Sequence, residues 1–184
     1  MRARLLVLTD RRLVPPGRSL AEVLRAVAAG GASTVVLRES DLADGERAEL
    51  ARVATAAGLE VVAAHRAVPG CVAVHVRATD PAPAGTWGRS CHDRAEVARA
   101  AAEGASWATL SPYAATPSKP GYGPALADGE LAGLPLPTYA LGGVTVRNAA
   151  AARAAGAHGV AVMGAVMRAA DPAAVVAGLL REVG

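Results

Sequence analysis

The apolar positions of this chain follow two alternating rhythms. Short apolar runs bounded by turn residues, at Leu5–Thr9, Thr34–Leu37, Glu60–Ala64, Val72–Val76, Thr86–Ser90, Trp107–Ser111, Thr138–Leu141 and Gly159–Val162, predict eight strands. Between several of them apolar residues return about every 3.6 positions. This spacing predicts helices at Leu20–Ala29, Asp44–Ala57, Arg94–Ala102, Val146–Ala155 and Pro172–Arg181. Ser19, Asp93, Thr145 and Asp171 stand where side-chain oxygens accept from first-turn amides, and read as N-caps. Ala29-Gly30-Gly31, Ala57-Gly58, Glu103-Gly104 and Ala155-Gly156 place glycine where a helix ends and the chain must turn left-handed before the next strand.

Strand, helix, glycine, strand is the rhythm of βαβ units. Eight strands in this rhythm predict an α/β fold of one domain over residues 1–184, a single (β/α)₈ TIM barrel. Such barrels run to about 250 residues, so this one must be trimmed. The trimming falls after strands three and four. Only His65–Cys71 fills the first gap, and Ala78–Gly85 fills the second with Pro81 and Pro83 inside it, so neither holds a full helix. An open, flavodoxin-like sheet is the alternative that shortness favours.

Composition narrows the partners. With 52% hydrophobic and 19% charged residues, the chain fills a substantial core from Ala, Val and Leu. It has no Phe, and Trp87, Trp107, Tyr113, Tyr122 and Tyr139 are its aromatics, which argues against platforms for stacking bases. The net charge of +3 is spread out, with no basic run for nucleic acid or a membrane surface. Cys71 and Cys91 lack a Cys-x-x-Cys partner and pack as small hydrophobes, as expected in a reducing cytoplasm. The apolar run after Arg2 and Arg4 meets Asp10 too soon for a signal segment, and nowhere do about 18 apolar residues run together as a span would need.

In a barrel the ligand meets the carboxyl ends of the strands. Here they carry Thr9, Asp10 and Arg11; Arg38, Glu39 and Ser40; His65 and Arg66; His75, Arg77 and Asp80; then Arg89, Ser90, Cys91 and His92. After strand six comes a loop with the one lysine among 19 cationic residues, Lys119, preceded by the hydroxyls of Thr116 and Ser118. A flexible ammonium beside hydroxyls suits a phosphate or pyrophosphate, although a lone lysine is as often a plain surface residue. Gly142-Gly143 ends strand seven, and Gly164 opens a short turn, Ala165–Arg168, after strand eight. Glycines and a helix start let backbone amides approach an oxyanion. No Gly-x-Gly-x-x-Gly follows a strand, so a dinucleotide is not expected.

Leu37-Arg38-Glu39, Gly88-Arg89-Ser90-Cys91-His92, Thr116-Pro117-Ser118-Lys119, Ala140-Leu141-Gly142-Gly143-Val144 and Gly159-Val160-Ala161-Val162 stand in the order of the thiamine phosphate synthase/TenI family. The chain resembles that family over nearly its whole length. The resemblance implies a (β/α)₈ barrel of thiamine biosynthesis. Its synthases join a pyrimidine pyrophosphate to a thiazole phosphate with Mg²⁺, and its TenI branch includes a thiazole tautomerase. It further implies that Arg38, Thr116, Ser118 and Lys119 hold pyrophosphate with Ser90 nearby, and that Gly142, Gly143 and Gly164 cradle the thiazole phosphate. Asp80 matches one of two carboxylates that hold the metal.

Val36, Ser40, Ala64-His65 and Ala78 stand where the synthase pattern has glutamine, lysine, Asn-Asp and glutamine. These are the pyrimidine and metal positions, so coupling activity is not expected to follow from the resemblance alone. Arg38-Glu39-Ser40 and Gly88-Arg89-Ser90 resemble the TenI branch, whose tautomerase has a histidine where this chain has Ser111. His65, and next to it His92, are the candidates to carry a proton instead. His75 and His158 are expected in packing or turns, and Glu39 is expected to pair with Arg38. A regulatory module that only binds phosphorylated metabolites and another phosphate-handling isomerase remain alternatives. Self-association into a homo-oligomer is left open.

Overall fold

The computed structural model describes residues 3–115, 125–127 and 129–184. Eight parallel strands close into a barrel in chain order: β1 (Leu5–Leu8), β2 (Thr34–Leu37), β3 (Glu60–Ala64), β4 (Ala73–Val76), β5 (Trp87–Cys91), β6 (Trp107–Leu110), β7 (Thr138–Leu141) and β8 (Gly159–Val162). Leu6 lies opposite Ala161 where β1 meets β8. Closure leaves no sheet edge and rules out the open, flavodoxin-like sheet. Limits differ from expectation by single residues. Thr9 and Ser111 lie just outside their strands, yet their amides still bond Val36 O and Cys91 O across to the neighbouring strand at 3.0 Å each.

Successive strand residues face opposite sides. Leu6, Leu8, Val36, Val62, Ala64, Ala73, Trp107, Tyr139 and Ala161 fill the barrel interior, while Leu5, Val7, Val35, Leu37, Val61, Val74 and Val76 belong to the outer core beneath the helices. With both faces buried, the strands read as continuous apolar runs rather than alternating ones. In a chain without Phe the indole of Trp107 fills much of the interior. It lies opposite Gly88, where a Cβ would overlap the ring.

The outer layer is formed by α1 (Leu20–Ala29), α2 (Asp44–Ala56), α3 (Arg94–Ala102), α4 (Ala149–Ala154), α5 (Gly164–Met167) and α6 (Pro172–Val183). Ser19 caps α1 in a reciprocal pair with Glu22, and the helix buries Leu20, Val23, Leu24 and Val27. Asp93 and Asp171 cap α3 and α6 as expected. Thr145 does not cap α4. Asn148 takes its amide on Oδ1 at 2.7 Å and donates Nδ2 to Gly143 O at 3.0 Å, so residues 145–148 form a turn tied to the β7 end and the helix starts later. Gly156 takes φ +107 at the end of that helix, where a Cβ would also meet Leu131 O. As expected, no helix follows β3 or β4, and among the described residues none follows β6. Among the described residues no helix is long and apolar enough to cross a membrane.

Candidate functional site

The end of β2 sends Arg38 across the barrel mouth. Its amide is fixed by the buried Thr9 Oγ1 at 2.9 Å, and its Nη1 lies 2.7 Å from Met163 Sδ at the end of β8. A thioether is a weak acceptor, so this guanidinium keeps most of its capacity for an oxyanion. Met163 precedes α5, whose first amides, at Gly164 and Ala165, have no acceptor within the helix. A cation from β2 and free amides from β8 therefore meet at one place. Gly142 and Gly143 lie beside it at φ 92 and 67, a left-handed backbone that glycine adopts without strain.

Those glycines also admit the β6 loop. Tyr113 N and Ala114 N bond Leu141 O and Gly142 O at 2.8 and 3.0 Å, extending the β6–β7 pairing. A Cβ on Gly143 would sit 2.5 Å from Ala114 O. Thr116, Ser118 and Lys119 lie outside the described residues, and so does Tyr122.

A second group forms where β3 and β4 end. His65 takes the left-handed conformation (φ 68) that a histidine rarely holds, with its amide bonded to His75 O at 2.9 Å. Its Nδ1 is buried with no hydrogen-bond partner and faces Asp80 Oδ2 at 3.8 Å. Burial, then the Arg77 charge, hold the imidazole below its usual pKa, and Asp80 opposes them. The His65 turn is braced from beneath by Arg47, fully buried on α2, which donates to Ala64 O at 2.8 Å. Asp80 accepts from Arg77 N at 3.0 Å on Oδ2, and its carbonyl accepts from Arg89 Nη2 at 2.9 Å. Arg89 is itself buried, stacked on Trp87 and paired with Glu103 Oε2 at 2.7 Å.

Among the described residues no group of three His, Cys, Asp or Glu side chains is arranged to hold a metal. Asp80 alone, already accepting an amide and facing an imidazole, does not match the oxygen-rich shell that Mg²⁺ prefers. The expected metal role of Asp80 is thus not supported by its surroundings.

Ser90 is half-buried on β5, on the face shared with Gly88, and its register partner on β6 is Thr109. His75, expected in packing or a turn, is buried on the inward face of β4 with Ala73. Its Nε2 lies 3.3 Å from Thr109 Oγ1, and burial, with the charges of His65 and Arg38, pushes its pKa down to about 4. His92 sits at the rim, its Nδ1 3.2 Å from Ser111 O and 3.3 Å from Ser111 Oγ, while its amide bonds Glu96. Glu39 is buried and pairs not with Arg38 but with Arg11 at 3.0 Å. Arg11 also grips Asp41 and holds that carboxyl down to about 2. The reason is parity: Arg38 continues the inward row of β2, which turns its neighbour Glu39 away from the mouth.

Sequence reading places His75 and Arg89 at strand ends without giving either a role in this site, and it misses Arg47. His75 was legible, because Ala73-Val74-His75-Val76 puts it on the interior side of a barrel strand. Arg47 had no such signal, since an arginine on a helix reads as a solvated one.

The family model described as "Thiamine monophosphate synthase" matches residues 72–166. The thiamine-phosphate synthase of Roseiflexus castenholzii is 35% identical over 191 residues, 91% of this chain and 82% of that protein. The thiamine-phosphate synthase of Methanoculleus marisnigri is 36% identical over 184 residues, 89% of this chain and 87% of that protein. The solved structure of thiamine phosphate pyrophosphorylase from Pyrococcus furiosus superimposes with a TM-score of 0.83 over 99% of this chain and 96% of that one, at 24% identity.

Proposed function

The chain belongs to the thiamine monophosphate synthase/TenI family, and from that premise we propose that it binds a thiazole phosphate at the carboxyl-terminal mouth of its barrel. The phosphate lies against the amides of Gly164 and Ala165 and the Gly142-Gly143 turn. One observation carries this reading. Arg38 reaches from β2 to the residue just before α5 and, among the described residues, finds there a sulfur alone, leaving a guanidinium beside orphan amides in want of an anion.

The chemistry follows from what surrounds that anion. His65, held below its usual pKa, is neutral at pH 7 and presents its unpartnered Nδ1 as a proton acceptor near the mouth. Ser90 and the His75–Thr109 pair line the floor beneath. Proton transfer on a bound thiazole phosphate is the reaction class these groups serve. Coupling to a pyrimidine pyrophosphate is disfavoured, because Val36, Ser40, Ala64 and Ala78 bring no polar side-chain contact of amide or ammonium type to hold a second ring. The same mouth with chemistry removed is a metabolite-binding module, and proton exchange separates the two.

The test has two arms. Calorimetry with the thiazole phosphate should show saturable binding that Arg38→Ala weakens by about tenfold or more. Incubation with both substrates and Mg²⁺ should yield no thiamine phosphate. Sustained thiamine phosphate formation overturns the disfavoured coupling, and absence of any thiazole phosphate binding overturns the proposal as a whole.

A further inference from the structure

The sulfur that Arg38 meets at the barrel mouth can be oxidised. The chain has three methionines, and they differ in access. Met1 lies outside the described residues, and Met167 is fully buried. Met163 is half-buried at the end of β8, packed against both the inner and the outer core, with its Sδ 2.7 Å from Arg38 Nη1. A methionine that merely filled the gap between two cores would be replaceable by leucine and would need no cation beside its sulfur.

The two thiols are poorly placed to compete for an oxidant. A peroxide attacks cysteine as the thiolate. Burial raises the Cys71 thiol above its ordinary pKa against a smaller opposing effect of the Arg47 charge, and burial pushes Cys91 up to about 12. Both stay protonated at pH 7. A thioether needs no deprotonation to react, so the accessible sulfur at the mouth is the one exposed to attack among the described residues.

We propose that Met163 is a reversible oxidation site, and that its sulfoxide blocks phosphorylated ligands by taking the Arg38 guanidinium. A sulfur lone pair attacks one oxygen of hydrogen peroxide, and the S–O bond forms as the O–O bond breaks. The sulfur gives up two electrons, the proton of the transferred oxygen passes to the departing hydroxide, and water leaves. A thioether accepts a hydrogen bond weakly, whereas a sulfoxide oxygen accepts one well. The contact that leaves Arg38 free in the reduced protein therefore becomes a charge-assisted bond in the oxidised one. The inference rests on Arg38 holding the ligand's phosphate, and it adds control of that site by redox state.

The test treats the protein with hydrogen peroxide at pH 7, locates the oxidised residues by peptide mass spectrometry and follows thiazole phosphate binding by calorimetry. Met163 should gain an oxygen before Met167 does, and binding should weaken by about tenfold or more. Methionine sulfoxide reductases acting on both epimers should restore it. Met163→Leu should bind equally before and after peroxide, whatever its starting affinity. Arg38→Ala should lose less than about twofold on oxidation, because the group that the sulfoxide captures is gone. A loss in Arg38→Ala as large as in the unmutated protein would mean that the oxygen disturbs packing instead, and overturns the inference. So does a Met163 that resists peroxide while Met167 or the thiols react, an unchanged affinity once Met163 is oxidised, or an equal loss in Met163→Leu. Each of these leaves the thiazole phosphate site standing. If the untreated protein binds no thiazole phosphate, the reading of the mouth fails and this inference with it.

Discussion

His75 rests on the inner face of β4 with its ring against Thr109, and burial holds its pKa at about 4 against an ordinary 6.5. Above pH 6.5 the ring is neutral in both folded and unfolded chains, and its titration costs nothing. As pH falls from 6.5 toward 4, the unfolded chain takes up a proton that the folded one refuses, so stability is lost in that window. The loss approaches about 3 kcal/mol at its lower end, at about 1.4 kcal/mol per pH unit. His65 and His158, also held below their ordinary values mainly by burial, act in the same direction. Urea unfolding at pH 7 and pH 5 should show this decline, and His75→Gln should flatten it. An equal slope in the variant would mean that the ring is not the source. The position of His75 was legible from strand alternation, whereas the burial of Arg47 was not. Its placement depends on the Ala64 carbonyl, which also accepts from Arg66 N at 2.9 Å, beside a left-handed His65, a tertiary circumstance that no local pattern encodes.

Elements were legible where a single local cause makes them. α1 starts where Ser19 and Glu22 satisfy each other's backbone partners, and the sequence contains both residues at the required spacing. Ser19→Ala should therefore cost about 1 kcal/mol and lower the melting temperature by about 2–4 °C in a chain of this size, read by circular dichroism. An unchanged melting temperature would show that α1 is held by its packing on α2 and α6 alone. The start of α4 was misread because Thr145 and Asn148 are both good caps, and the choice between them is made by Gly143 O, which Asn148 reaches and Thr145 does not. The glycine turns after β7 were legible as a site but not as a landing for the β6 loop, since that contact joins residues distant in sequence.

At the scale of the molecule, each strand contributes to two cores at once, one inside the barrel and one beneath the helices. Neither can melt while the strands persist. Trp107 lies in the inner core and Trp87 in the outer, so Trp87→Phe and Trp107→Phe leave one reporter in each. After allowance for the stability each substitution removes, the fluorescence and circular dichroism transitions should coincide within each variant; a lag between the two probes in either would separate the layers. The helix-free links after β3 and β4 have a further bearing on this unity. They leave that stretch of wall thinner than the rest, with Val72 standing 60% exposed at its foot and Arg66 half-exposed above it. A protease therefore finds its natural entry there. A nick between Arg66 and Gly70 severs no strand and no helix, so the two halves of the chain stay clasped as a non-covalent pair, with the barrel itself as the clasp.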